Sequence, residues 1–326
     1  NIMAVGRDQF TKGLVRDMYA YSLESYPQVA PVYTELFEGF DSQGAFEQST
    51  SAIGVGQLDV KPEGEPITYQ NAMEGFTVQG RNDTFAAGIE FTMEQVMDMS
   101  PTKISNMVTA FASKYTEKYI ISKENYYSDF FNKGGFTSGH DIFNGSVPGN
   151  TDASGDLCYD SEPFFNLSDN LRPAHPSGTD TYYNAIALSL TETNLQTAYD
   201  LMTVTNAVDA RGDKMQIQPD ILLVPPQLKW KADKLMANTL QIGSAQNDIN
   251  TVQNLFRVIV WRYLDTATFW AIGKAKSGIK AYNRMPLTFD FFRDEDTKGY
   301  KANVVARWGG EVNDFRYWVG SNAPTS

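Results

Sequence analysis

Residues 218–228, Gln218-Pro219-Asp220-Ile221-Leu222-Leu223-Val224-Pro225-Pro226-Gln227-Leu228, read as a short buried strand closed by a helix start. Ile221 to Val224 is an uninterrupted apolar run, the pattern of a strand without a solvent face. Proline lacks an N–H and suits the first helical turn, so Pro225-Pro226 ends the strand and opens a helix. Leu228, Trp230, Ala232, Leu235 and Met236 then provide that helix with apolar positions.

Strand-like segments follow at Phe256 to Tyr263, Phe269 to Ile272, Leu287 to Phe292, Lys301 to Trp308 and Phe315 to Val319. On the N-terminal side, Leu195, Ala198, Leu201, Met202 and Val208 predict a helix over 192–210, closed by Arg211-Gly212. Residues 135–180 are rich in Gly, Asp, Ser and Pro and read as an irregular excursion. Before them, Ser100 is a good N-cap and Pro101 a good first helical residue. Ile104, Met107, Val108, Phe111, Tyr115, Tyr119, Tyr126, Phe130 and Phe131 trace a helical stripe, and Gly134-Gly135 end it. An unbroken helix over 101–133 would be roughly 50 Å long.

Glycines punctuate residues 54–92, and Lys61-Pro62-Glu63-Gly64-Glu65-Pro66 forms a charged, turn-rich tip. With Ile67-Thr68-Tyr69 and Phe76-Thr77-Val78 as strand pieces, this reads as a long hairpin with too few apolar residues for its own core. Such a hairpin needs a partner surface. Residues 28–53 show no period and read as an extended arm rather than a core element; residues 7–25 read as a short helix. No internal repeat is present, and the class is α+β.

The 326 residues include 39 acidic and 27 basic ones, a net charge of −12, with 42% hydrophobic and 13% aromatic content. That composition excludes a disordered chain and argues against a protein built to grip phosphate backbones. No apolar run approaches the ~18 residues of a membrane span, and the first residues do not form a signal peptide. One cysteine, Cys158, excludes an intrachain disulfide. His140, Cys158 and His175 lack compact metal-ligand spacing, so no metal or other cofactor is expected.

Other motifs fail on inspection. Gly54-x-Gly56 meets Asp59 where a dinucleotide fingerprint needs glycine. Asp294-x-Asp296-x-Lys298-Gly299 starts like a calcium loop, but its twelfth position is Val305, so a charged hairpin turn is the reading. Lys229-Trp230-Lys231 and Arg257 to Arg262 interleave basic and aromatic residues as amphipathic elements do. Ser100-x-x-Lys103, Ser168-Asp169-Asn170 and Lys276-Ser277-Gly278 stand in the order of a penicillin-interacting serine acyl-transferase. The plainer reading is a helix cap and two turns.

The ordered elements resemble the major capsid protein of tailed bacteriophages, the Hong Kong 97-like fold. The resemblance is carried by Gln218 to Leu228 with Ala232 to Leu235, by Phe289 to Tyr300, and by Val304-Val305-Ala306-Arg307-Trp308-Gly309-Gly310. It implies an N-terminal arm at 1–53, an extended loop hairpin at 54–92, and a peripheral domain at 93–214 with its spine helix at 101–133. An axial domain at 215–300 and return strands of the peripheral domain at 301–326 complete it. It also implies a non-enzymatic shell subunit, present in virions and assembled in the host cytoplasm. Expected partners are copies of itself as pentamers and hexamers, with decoration, portal and scaffolding proteins, around double-stranded DNA and without a membrane. An N-terminus at Asn1 would suit removal of a scaffolding segment. The expected inter-subunit contacts are Lys61, Glu63 and Glu65 at the hairpin tip and Asp294, Glu295 and Lys298 at the later turn. An encapsulin-like cargo shell and the serine acyl-transferase are the alternative functions.

Overall fold

The computed structural model describes residues 31–53, 58, 60–67, 69, 73–98, 101–135, 158, 163–168, 171–173, 178, 181–209, 211–238, 250–296 and 299–322. The helix expected over 7–25 lies outside them. A helical turn, α1 (Tyr33–Leu36), leads into β1 (Glu38–Asp41), β2 (Phe46–Ile53) and β3 (Met73–Phe91). Next come α2 (Met93–Asp98), α3 (Pro101–Asn132), β4 (Arg172–Pro173), β5 (Thr181–Tyr182), β6 (Ala185–Ile186) and α4 (Glu192–Asp200). The remainder comprises β7 (Ile221–Val224), α5 (Lys229–Ala237), β8 (Arg257–Val260), β9 (Phe269–Gly273), β10 (Ile279–Arg293), β11 (Tyr300–Val312) and β12 (Trp318–Asn322).

Two five-stranded sheets result, one ordered β1-β10-β11-β3-β2 and the other β6-β12-β9-β7-β8. Segment 215–300 therefore supplies strands to both: β10 joins the long sheet, and β7, β8 and β9 the other. Strand β12, from 301–326, pairs with β9 and β6, away from β11. Pairing of this kind is long-range and leaves no mark in local periodicity.

Strand β7 is buried along its whole length, as its apolar run predicts. Ile221 and Leu223 face a core with Trp261, Phe269 and Ala271, while Leu222 and Val224 face a second core with Ala232, Leu235, Trp270 and Ile272. The period-2 alternation of a strand divides these residues between two cores. Pro225 is extended, and Pro226 starts a tight turn ahead of α5.

Helix α3 spans 32 residues, about 48 Å at ~1.5 Å each. Its C-terminal end carries the main core: Tyr126, Tyr127, Phe130 and Phe131 are buried with Phe164, Phe165, Trp308, Phe315 and Trp318. Gly134 and Gly135 end it for a steric reason. A Cβ on Gly134 would meet the Phe130 carbonyl oxygen at 2.4 Å, and Gly135 adopts φ +123.

Two expectations need correction. Residues 31–53 do not form an arm lacking core residues. Tyr33 stacks on Tyr127 at 4.5 Å, Phe37 meets Tyr127, Phe130 and Phe131, and Leu36 is fully buried. One helical turn is too short to show a period. The helix expected over 192–210 is α-helical only to Asp200 and then widens into a π turn at Leu201–Thr205. Its run of Thr203, Val204 and Thr205 is β-branched, and the Thr203 hydroxyl donates to the Tyr199 carbonyl at 2.8 Å. At the start of α4, the Thr191 hydroxyl oxygen accepts from the Asn194 N–H at 3.2 Å. Thr191→Ala is expected to cost about 1 kcal/mol, read as a lower urea midpoint with unchanged slope.

Candidate subunit interface

The hairpin is built from β2 and β3, antiparallel from Phe46 opposite Arg81 to Ile53 opposite Met73. It therefore begins earlier than residue 54. The other half of β3 pairs with β11, Asn82 opposite Gly309 through Phe91 opposite Tyr300. The hairpin base is tied down by Glu311, which is fully buried. Its carboxylate accepts from the Ser49 hydroxyl at 2.7 Å and from Lys280 Nζ at 3.1 Å.

Beyond Ile53 the described residues of the tip are exposed. Leu58 is 97% exposed, Val60 94% and Tyr69 90%, and Ile67 is also exposed. Ile67 and Tyr69, expected in a strand, are in none. Lys61, Glu63 and Glu65 are exposed on a turn closed by the Glu65 N–H donating to the Pro62 carbonyl at 3.3 Å. Gly64 occupies φ +84 there, a conformation that favours glycine.

The second predicted cluster lies at the far end of the same sheet. Asp294 closes the β10–β11 turn, its N–H donating to the Gly299 carbonyl at 2.9 Å and its carboxylate accepting from the Asp296 N–H at 3.0 Å. Glu295 is exposed, and Lys298 lies outside the described residues. The turn adjoins the Tyr300–Phe91 pair, whereas the hairpin tip adjoins Met73. Those points are about 60 Å apart at ~3.3 Å per residue, so the two clusters do not form one site. Lys301, missed in the sequence, is the working partner of Asp294: it donates to that carboxylate, which raises the lysine's pKa.

The sequence also left unmarked a polar cavity of about 490 Å³ between α3 and the β1–β10 edge. Tyr33, Asp41, Ser42, Tyr119, Lys123, Asn283 and Arg284 contribute to its wall. Lys123 is only 6% exposed, and its Nζ donates to Asn283 Oδ1 at 2.6 Å. The ammonium lies 4.9 Å from the Tyr119 ring centroid and 5.7 Å from that of Trp308. Burial pulls its pKa down to about 8, and no carboxylate among the described residues pairs with it. A lysine four residues after Tyr119, on the apolar stripe, was the available signal. Next to it on the helix, Glu124 is buried, accepts from Trp261 Nε1 at 2.5 Å, and has its pKa raised by burial.

The motifs of other chemistries fall to structural roles where they are described. The Lys276 N–H donates to the Leu36 carbonyl at 2.8 Å, the Ser277 carbonyl accepts from Trp318 Nε1 at 2.9 Å, and Gly278 takes φ +79. These residues make a turn between β9 and β10. Ser100, Asp169, Asn170, His140 and His175 lie outside the described residues. Cys158 is buried beside Arg172, whose Nη2 lies 3.8 Å from the sulfur. Among the described residues no group of three His, Cys, Asp or Glu could hold a metal, and no helix is long and apolar enough to cross a membrane.

The described part is a long two-sheet scaffold with a hairpin whose described tip residues are exposed. The family model for phage capsid protein matches residues 75–321, and the chain belongs to that family. Solved structures show the same fold at low identity. The cyanophage P-SCSP1u capsid is 11% identical with a TM-score of 0.51, covering 91% of this chain and 89% of that one. The capsid of a native GTA particle is 11% identical with a TM-score of 0.51, covering 92% of each chain. A Mycobacterium phage Patience chain is 7% identical with a TM-score of 0.52, covering all of this chain and 90% of that one. No curated protein matches. The expected α+β Hong Kong 97-like fold is the observed one, and this is a major capsid protein, a shell component of the virion.

Proposed function

We propose that the chain is the repeating subunit of an icosahedral shell, arranged in pentamers and hexamers around double-stranded DNA, and that it acts by assembly rather than turnover. The hairpin tip carries this reading: four large apolar side chains stand exposed on a segment without a core. An isolated chain gains nothing from that exposure, whereas a neighbouring subunit would bury it. Lys61, Glu63 and Glu65, with Asp294 and Glu295 at the opposite end of the sheet, are assigned as inter-subunit contacts, and Lys298 with them by its place in the sequence. Of the expected division, a peripheral domain at 93–214, an axial domain at 215–300 and return strands at 301–326 stand as proposed, while the core-bound turn at Tyr33–Leu36 shortens the arm and the hairpin starts at Phe46. Assembly is placed in the host cytoplasm, with scaffolding, portal and decoration proteins as further partners. A net charge of −12 would keep packaged DNA from adhering to the shell wall.

The Lys61→Ala, Glu63→Ala, Glu65→Ala triple variant tests the tip assignment. It should lower the yield of closed shells in negative-stain micrographs several-fold, with the unfolding midpoint of the unassembled subunit unchanged. Undiminished shells would remove the tip from the interface. Nuclease-protected DNA in shells purified from the native source supports a genome container; protein cargo in its place would point to an encapsulin-like compartment.

A further inference from the structure

Resting on the reading of this chain as a shell subunit, we infer that the cavity around Lys123 and Arg284 is the receptor for a glutamate carboxylate of a second copy, supplied by Glu63 or Glu65 of that copy's hairpin turn. The cavity is built around Lys123, which forms an ion pair with no carboxylate among the described residues. Lys123 is 6% exposed, and its described hydrogen bond is to the side-chain amide oxygen of Asn283. A buried cation is costly unless paired, and an ammonium has three donors, of which Asn283 takes one. The rings of Tyr33, Tyr119 and Trp308 around it soften the charge without neutralising it.

Arg284 brings a second cation to the same wall. Its Nη1 holds the Ser42 carbonyl at 3.1 Å, which fixes the side chain and leaves other guanidinium donors for a ligand. A planar fork beside an ammonium suits a carboxylate, and about 490 Å³ is ample for a glutamate side chain.

The occupant follows from charge order. Lys123 and Arg284 are positive, and Asp41, on the same wall, is negative. The hairpin turn presents the complement: Glu63 and Glu65 are negative and Lys61 is positive, all three exposed, with no ion pair formed within the described chain. Asp41 discourages a second carboxylate and offers a place for Lys61. Prolines at 62 and 66 and the Glu65–Pro62 hydrogen bond hold the turn in shape, which lowers the ordering cost of docking. Leu58, Val60, Ile67 and Tyr69, exposed on either side, would cover the cavity mouth and exclude water from the ion pair.

Charge reversal on both sides tests the pairing. Arg284→Glu alone, and Glu63→Lys with Glu65→Lys alone, should each reduce the shell yield measured by sedimentation about tenfold. The three substitutions combined with Lys123→Met, which removes the remaining cation from the cavity, should recover most of it. Unfolding midpoints of the unassembled subunits are measured alongside, and Arg284→Gln, which keeps a donor for the Ser42 carbonyl, serves if Arg284→Glu fails to fold. Wild-type yield from the Arg284 variant, or no recovery in the combined variant while each subunit still folds, overturns the pairing and leaves the shell reading intact. A wild-type chain that forms no shell overturns both.

Discussion

Phe131→Ala is expected to lower the unfolding free energy of the unassembled subunit by about 3–5 kcal/mol. Phe131 is fully buried at the end of α3, and its ring lies 5.2 Å from Trp318, 5.7 Å from Trp261, 5.8 Å from Phe164 and 6.0 Å from Phe165. Phe37 and Phe269 complete the surround at 6.2 and 6.3 Å. Phe269 lies in β9 and Trp318 in β12, so the ring joins the long helix to the second sheet. Neighbouring rings cannot collapse into the space without giving up their edge-to-face geometry, which places the loss in the range for a poorly healed cavity. The measurement is urea unfolding followed by tryptophan fluorescence. Phe131→Leu should cost less than half as much, and a loss below about 1 kcal/mol for alanine would show that the two parts are held together elsewhere.

Lys123→Met is expected to act in the opposite direction. Burial holds the Lys123 amine at about 8, against 10.5 in an unfolded chain. Between those values the unfolded chain binds more protons than the folded one, so stability rises with pH across the window and the full cost applies below it. A displacement of that size corresponds to about 3 kcal/mol. Methionine fills a similar volume without a charge but gives up the Asn283 hydrogen bond and the ring contacts. The net gain at pH 7 should be about 1–2 kcal/mol, and the difference from wild type should shrink as pH rises from 8 to 10.5. Paired urea titrations at pH 7, 9 and 10.5 read both effects. A constant difference would mean that Lys123 titrates normally. If the cavity receives a carboxylate, this more stable subunit should assemble less well, a trade of function against stability.

The elements legible in the sequence are those whose pattern is local and long. Helix α3 ends one residue short of the expected 133, because Gly134-Gly135 is a steric stop. Strand β7 shows as an apolar run between prolines, and β9 and β11 lie where their apolar content puts them. Sites that depend on partners distant in the chain stayed hidden. Tyr33, Leu36 and Phe37 enter the core from one helical turn, too short for any period. Glu311 binds Ser49 across 262 positions, and Lys123 meets Asn283 across 160. The charged hairpin tip was readable as exposed because Lys61, Pro62, Glu63, Gly64, Glu65 and Pro66 have nowhere else to be. The cavity was not, since its wall is assembled from α1, β1, α3 and β10 only on folding.

The pairing of β3 with β11 determines how a pull on the tip is borne. Residues Asn82 to Phe91 run antiparallel to Gly309 to Tyr300, and β11 is in turn bonded to β10 along most of its length. Antiparallel ladder bonds lie perpendicular to the strands. Tension along the hairpin axis therefore loads them side by side in shear, and they resist together rather than opening one after another like a zipper. A neighbouring subunit holding the tip would load the chain in that direction, so the β3–β11 ladder doubles as a tendon.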